Sequence, residues 1–331
     1  MPKIEPYDDL DKRFIKLRKK IEQVYAEAAE EAEEKAQAFA REFKLVDRDM
    51  RAQLAAGQIT QAQYNQWKQN QILTSKRYAQ MKADIEEQMI HAQETASRMT
   101  NDEAKALFIV SANHTLYELS MAVKRDIPFT LYDNATVTNL IKNEPQILPN
   151  LKTQPGKLMV HVSKQINTAV IQSVVQGESI SQLADRITEK IPGFGRKSML
   201  LSARTAMTSA QNSGRLRAMK DSKKKGIDVK KLWIATLDSH TRDAHRDLDG
   251  QTQDPDKPFD SILGDIMFPG DPGADPANVW NCRCKLGYEY PKYKINRTRL
   301  AVVDEETKKT EVIPYMTYRE WERWRETHGE H

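Results

Sequence analysis

Apolar side chains at Leu10, Phe14, Leu17, Ile21, Val24 and Ala28 recur in alternating steps of four and three. That spacing holds one stripe of a helix against a partner for turn after turn. It predicts a helix over residues 7–56 and commits the first third of the chain to long helices. An Ala/Glu-rich middle from Ala26 to Ala40 supplies strong helix formers. Phe39, Phe43, Val46, Met50 and Leu54 continue the stripe, and Gly57 provides a stop. Thr60 with Gln63 is a capping-box signature for a second helix, whose apolar side carries Tyr64, Trp67, Ile72, Met81, Ile85 and Met89. Thr100 with Glu103 is another and predicts a third helix, through Leu107, Phe108, Val110 and Tyr117 to Val123. Such stripes mean helix–helix packing. Residues 1–125 carry no catalytic signature, and His91 and His114 read as ordinary helix residues.

Composition bounds the rest. A length of 331 residues admits two domains. With 30% charged residues, large solvated helix faces are expected, or apolar surface completed by partner chains. A net charge of +4 falls short of a dedicated nucleic-acid binder. No run approaches the ~18 apolar residues of a membrane helix. Met1-Pro-Lys-Ile-Glu-Pro6 lacks a signal-peptide core, so the protein is expected to be made and kept in a cytosol. Two cysteines cannot build a secreted disulfide framework and are expected to be thiols, free for a metal.

Residues 126–156 change character. Pro128, Pro145, Pro149 and Pro155 interrupt any long helix, with Asn134, Asn139, Asn143 and Asn150 among them, which predicts a short-helix and loop connector. A helix is expected over about 157–176, ended by Gly177. Ser179 with Gln182 caps the next, Ile180 to Lys190. Ile191 to Gly195 is a turn without the strand and Lys/Ser pair of a phosphate-binding loop. The following helix, Lys197 to about Ser222, carries a polar stripe of Arg204, Thr208, Gln211 and Arg215 that is expected to meet carboxylates of later loops. Lys223, Lys224 and Lys225, with Lys230 and Lys231, form a basic cluster, read as a solvated face with nucleic-acid backbone contact as the alternative. Val229 to Leu237 favours a strand. Residues 250–280 are turn upon turn, and so long an irregular segment is functional or pinned by something. Further strands are expected at Cys284–Tyr290 and Arg299–Val303, and a terminal helix over Thr317–His328.

The expectation is therefore an α+β fold, mostly α, with long N-terminal helices and then a smaller α+β C-terminal domain holding a long irregular loop. The parts read as 1–125 (long helices), 126–156 (connector), 157–292 (the α+β domain) and 293–331 (a strand and helix tail).

Chemistry-bearing residues concentrate between Trp233 and Cys284. Cys282 and Cys284 lie two apart, so on an extended backbone both sulfurs face one way and can reach one ion. His245 and His240 offer nitrogen, and Asp238, Asp243 and Asp249 offer oxygen. The candidate ligand set is His245, Cys282 and Cys284 with Asp238, and zinc is the ion such donors suit. The bland alternative is two buried thiols in a strand; a Cys-x-Cys disulfide would be strained. Asp238, Arg242, His245 and Asp249 also permit acid, base and anion-holding roles in a hydrolase or nuclease. Against that stands an ion-pair network of Arg242 and Arg246 with Asp243, Asp247 and Asp249. No serine elbow, HExxH or P-loop is present.

One ordered set of residues carries a resemblance. Ala203-Arg204-Thr205 on a helix is followed by Trp233-x-x-Thr236-x-Asp238 and by Arg242-x-x-His245-x-x-Leu248-Asp249-Gly250. Phe259, Pro269-x-Asp271-Pro272 and Asn281-Cys282-Arg283-Cys284 complete it. Over about residues 155–292 this resembles the Mu F-like family of phage minor head proteins, also called head morphogenesis proteins. The resemblance implies a minor capsid protein of a tailed double-stranded DNA phage or prophage. It implies residence in the capsid interior near the portal, with host cytoplasm during assembly and no membrane while in the capsid. Implied partners are the portal protein, the major capsid or scaffolding protein, and phage DNA; implied roles are head assembly, packaging or ejection. No catalytic residues come with it, so Arg204, Thr205, Trp233, Arg242, Asp249, Gly250, Asn281 and Arg283 are taken as structural. Some relatives carry a toxin domain beyond Cys-Arg-Cys; Lys285 to His331 is at the lower end of domain size, so a full toxin is not expected there. The rival reading is a nucleic-acid-acting or transferase-like enzyme using His245 and Asp249.

Overall fold

The computed structural model describes residues 10–73, 75–123, 130–148, 150–176, 178–290, 298–304, 307 and 309–328. At 45, 73, 123, 300 and 325–328 it describes the backbone alone. The Met1–Pro6 segment, Pro128, Pro149 and the expected stop at Gly177 lie outside the described residues. The fold is mostly α with small antiparallel sheets in the C-terminal part, an α+β chain. It divides into two compact units. One comprises Lys16–Met99 and Lys152–Leu200, the other Met1–Ile15, Thr100–Leu151 and Leu201–His331.

Helix α1 runs Leu10–Ala55, α2 Gln61–Leu73 and α3 Lys76–Val123. Neither α1 nor α3 contains Gly or Pro, so nothing in their sequences halts propagation. In the first unit the buried face of α1 is Ile21, Tyr25, Ala28, Ala32, Ala36, Phe39 and Phe43. Two consecutive steps of four put Tyr25 inward where strict four-three alternation predicts Val24. The same drift leaves Val46, placed on the apolar stripe by its sequence spacing, 50% exposed and buries Asp47, which accepts from the Tyr64 hydroxyl at 2.6 Å. Thr60 and Gln63 form the expected capping box on α2. The single helix expected from there is two, because Ser75 starts α3: its Oγ accepts from the amides of Arg77 and Tyr78. The third start expected at Thr100 does not occur. Thr100 is buried within α3, and Glu103 pairs with Arg13 at 2.7 Å. A capping box marks a start only where the preceding turn is not already helical.

Helix α4 spans Asn134–Asn143, capped by Asp133. Helix α5 (Pro155–Val175) and α6 (Ile180–Lys190) complete the first unit, the latter with both halves of the Ser179/Gln182 capping box. Buried Lys68 donates to the Ser173 carbonyl (3.2 Å) and hydroxyl (2.9 Å) and to the Glu178 carbonyl, tying α2 to the C-terminal end of α5. Burial lowers its pKa to about 8.

In the second unit, α7 (Arg196–Lys224, from Leu201 on) lies against an antiparallel sheet. Its strands are β1 (Lys230–Ile234), β2 (Thr252–Gln253) and β3 (Lys285–Glu289), in the order β2-β1-β3. Leu232 pairs with Gly287 and Trp233 with Leu286. Short helices α8 (Asp243–Leu248) and α9 (Pro276–Val279) sit in the intervening loops. Trp233, Leu248, Phe259, Ile266, Leu286 and both cysteines form the core with Leu216 and Met219 of α7. A hairpin of β4 (Thr298–Asp304) and β5 (Lys309–Pro314), then α10 (Tyr318–His328), buries Ala301, Ile313, Tyr318 and Trp321 against Leu237.

The turn-rich stretch 250–280 is pinned by side chains that reach its backbone. Asn212 of α7 donates to the Pro269 carbonyl at 2.9 Å, and Lys231 to the Met267 carbonyl at 2.7 Å. Asp271 accepts from Met267 and Gly273, both at 2.9 Å. Gly270 has φ +85° and lies so close to α7 that a Cβ would stand 2.9 Å from the Ser209 nitrogen. Only glycine meets both conditions without strain.

Candidate metal centre

On α8, Ala244, His245 and Leu248 face inward while Asp243 and Asp247 face solvent. His245 is thereby buried. Its Nε2 lies 3.0 Å from both the carbonyl and the side-chain oxygen of Asn278 on α9. The Asn278 amide nitrogen is turned away, toward the Ser261 hydroxyl and the Gly264 carbonyl. Both groups facing Nε2 are acceptors, so the neutral ring carries its proton there. Nδ1 then presents a lone pair to the sulfurs of Cys284 at 3.4 Å and Cys282 at 3.7 Å. This is the tautomer that a metal-binding histidine needs, fixed by an outer partner.

The cysteines are positioned by their backbone. Asn281, φ +53°, reverses the chain after α9, a conformation Asn tolerates better than most residues. Its amide donates to Thr205 Oγ1 at 3.0 Å. The three carbonyls of Cys282-Arg283-Cys284 are then held by different side chains: Thr208 on Cys282 (2.8 Å), Thr236 on Arg283 (3.0 Å) and Asn212 on Cys284 (3.2 Å). Asn212 also accepts from the Leu286 amide at 2.8 Å, and Arg215 donates to the Leu286 carbonyl at 2.9 Å. Thr208 and Arg215, part of the polar stripe of α7, thus meet backbone carbonyls of the cysteine strand rather than carboxylates of the later loops. Buried carbonyls require partners, and among the described residues Cys282–Cys284, just before β3, pair with no strand, so side chains supply them.

Both cysteines are free, buried thiols. A hydrogen bond from Cys284 holds the Cys282 thiol well below its usual range, whereas burial pushes Cys284 up. The ligating atoms of His245, Cys282 and Cys284 all lie within 4.8 Å of one another. Two sulfurs and an unprotonated imidazole nitrogen on ordered backbone are donors that can hold a metal ion. A cavity of about 240 Å³ opens on them, lined also by His240, Thr241, Arg242, Asn281 and Arg283.

The other expected residues take structural positions. Asp238 stands outside the group of three donors. Its carboxylate pairs with Arg283 (2.8 Å to Nη2) and accepts from the His240 amide (3.0 Å) and the Thr241 hydroxyl (3.2 Å). Arg242 donates to the Trp280 carbonyl, and Arg204 pairs with Asp11 and stacks over Phe14. Trp233 meets the His245 ring edge-on at 5.3 Å. Asp249 is enclosed: it accepts from Ala235 N (2.6 Å), Tyr318 N (2.5 Å) and the Arg299 guanidinium (2.8 and 3.1 Å). Gly250 has φ +84°, and a Cβ there would stand 2.8 Å from Thr317 Cγ2. Lys223 pairs with Asp254 and Asp256, and Lys224 with Asp221. Sequence reasoning missed Asn212, Asn278 and Arg299. The one available signal was Asn212, a poor helix former in mid-helix.

A family model described as "Phage Mu protein F like protein" matches residues 164–287. The "Minor head protein GP7" of Bacillus phage SPP1 is 30% identical over 251 residues, 72% of this chain and 76% of that protein. The "NAD(+)--arginine ADP-ribosyltransferase EFV" of Enterococcus faecalis (strain ATCC 700802 / V583) is 27% identical over 216 residues, 62% of this chain and 40% of that protein. No solved structure gives a significant match.

Proposed function

Because this chain belongs to the Mu F-like family of phage minor head proteins, we propose that it is a minor component of a phage capsid whose work is binding rather than turnover. It docks on the portal protein or on the inner surface formed by the major capsid or scaffolding protein, and aids head assembly, DNA packaging or ejection. The observation that carries this reading is the 30% identity to a minor head protein along 76% of that protein's length. Contact with packaged DNA belongs to the same reading, with Lys223, Lys224 and Lys225 as its basic face, although Lys223 and Lys224 already pair with carboxylates. The donor chemistry at the cysteines supports a metal of the zinc type, since S, S and N donors suit a borderline-soft ion. The division into a helical part (1–125), connector (126–156), Mu F-like part (157–292) and tail (293–331) is kept as the working map for truncations.

The test is co-expression with portal, scaffolding and major capsid proteins, followed by purification of proheads and quantitation of each chain. The protein is expected in proheads, well below the copy number of the major capsid protein, and to co-purify with portal alone. Its absence from proheads and from portal overturns the reading. The enzymatic alternative draws on the likeness to a protein named as an ADP-ribosyltransferase, of which this chain spans 40%. It asks His245 and Asp249 to act on a substrate, yet Asp249 is committed to two amides and a guanidinium.

A further inference from the structure

Three donors leave a tetrahedral ion one position short. We propose that His240 supplies the fourth ligand, making a closed site of two sulfurs and two imidazoles; this rests on the zinc reading above. The cavity at the three donors is the space into which a fourth ligand must project. Arg242 and Arg283 are cations without a lone pair to offer. The Thr236 and Thr241 hydroxyls are held by the Arg283 and Thr236 carbonyls, at 3.0 and 2.6 Å. Asn281 offers a neutral amide oxygen, a poor zinc donor. Asp238, the carboxylate nearest in sequence, does not line this cavity and is neutralised by Arg283.

His240 remains. Its side chain is exposed, and no hydrogen bond to another described residue holds its imidazole. Its backbone is anchored, with its amide on Asp238 Oδ1 at 3.0 Å and the Thr241 hydroxyl on the Thr236 carbonyl. The turn is thus fixed in place; the His240 ring lines the cavity but stands outside the group of donor atoms within 4.8 Å of one another, so it must turn toward them to ligate. A closed site would join the 238–241 turn, α8 and the cysteine strand, three segments of one unit. Closure also fits a protein whose family role is structural, since catalytic zinc sites keep a position open.

The experiment is X-ray absorption at the zinc edge on the full-length protein loaded with one equivalent of zinc, for wild type and His240→Ala. Chelator competition on the same samples gives affinities. His240 is exposed, so the variant is expected to fold, and its thermal midpoint checks this. The expected result is two sulfurs and two imidazoles in wild type and a single imidazole in the variant, with affinity lowered at least about 10-fold, the least that loss of even an outer-shell partner costs. Two sulfurs and one imidazole in both proteins overturns the assignment of His240 and leaves zinc at the three donors standing. Failure of wild type to retain stoichiometric zinc removes the zinc reading itself and this inference with it.

Discussion

Arg299→Met is the perturbation that most directly tests how the C-terminal hairpin is fastened. Asp249 and Arg299 are almost wholly buried, with side-chain exposures of 0% and 4%. Arg299 bridges three places: it pairs with Asp249 through both terminal nitrogens and donates to the carbonyls of Ala235 and Met316. Removing it leaves a buried carboxylate balanced only by the amides of Ala235 and Tyr318. Breaking one side of a buried ion pair costs about 3–5 kcal/mol. Each orphaned carbonyl adds about 1 kcal/mol or more unless water reaches it. The expected loss, about 5–7 kcal/mol with both carbonyls orphaned, is comparable to the whole stability of many domains, which is about 5–15 kcal/mol. Asp249→Asn in the Arg299→Met background removes the stranded charge and keeps an acceptor oxygen for one of the two amides, which bond different carboxylate oxygens. The double variant should therefore recover about 1–3 kcal/mol, the coupling expected of contacting residues. Because the chain has two units, a single global midpoint is a poor reporter. Hydrogen exchange at the Ala235 and Tyr318 amides reads the hairpin directly. Exchange rates in Arg299→Met within about fivefold of wild type, roughly 1 kcal/mol, would refute the argument. So would a double variant worse than Arg299→Met alone.

Asn212→Leu should cost about 3–5 kcal/mol, since it strands the Leu286 amide and two carbonyls in a dry core; chemical denaturation followed through the Trp233 environment checks this, and a loss under 1 kcal/mol would count against it. Gly270→Ala should lower the thermal midpoint, because φ +85° and a 2.9 Å approach to Ser209 both oppose a side chain; an unchanged midpoint contradicts it. Burial lowers the Lys231 pKa to about 7. Between pH 7 and about 10.5 the unfolded chain therefore binds a proton that the folded chain does not, so this residue makes stability rise with pH across that window, by on the order of a few kcal/mol in all. Lys231→Met should flatten the slope, and pH-dependent denaturation of the pair that gives parallel curves defeats the claim.

The long helices were legible because their cause is local. Apolar period, helix-forming composition and the absence of Gly and Pro act within a few turns. The errors arose where local signals are ambiguous. Thr100 and Glu103 have the spacing of a capping box, but the same spacing serves equally inside a helix, where Thr100 is buried and Glu103 holds Arg13. The outward turn of Val46 and the inward turn of Asp47 follow from a drift between the true helical period and a strict seven-residue repeat, which accumulates only over many turns. The break at Ser75 depends on one hydroxyl capping two amides, and nothing in the neighbouring apolar pattern announces it.

The cluster of three donors was legible for a different reason: thiols and imidazoles are scarce enough that their residue types alone narrow the choice. Sequence placed His245, Cys282 and Cys284 together as donors, and their atoms do converge. What sequence concealed is the polar framework that holds them there. Asn278 selects the His245 tautomer, while Thr208, Thr236 and Asn212 hold the cysteine strand by its carbonyls. These contacts join residues 33 to 74 positions apart, and an Asn or Thr serving such a role is indistinguishable in sequence from one on a surface. The same framework changes what a metal is needed for. The 250–280 stretch is fixed by Asn212, Lys231 and Asp271. An ion held by the three donors would instead tie α8 to the Cys282–Cys284 segment. Stripping it should therefore loosen the environment of His245 while leaving the pairing of Trp233 with Leu286 intact.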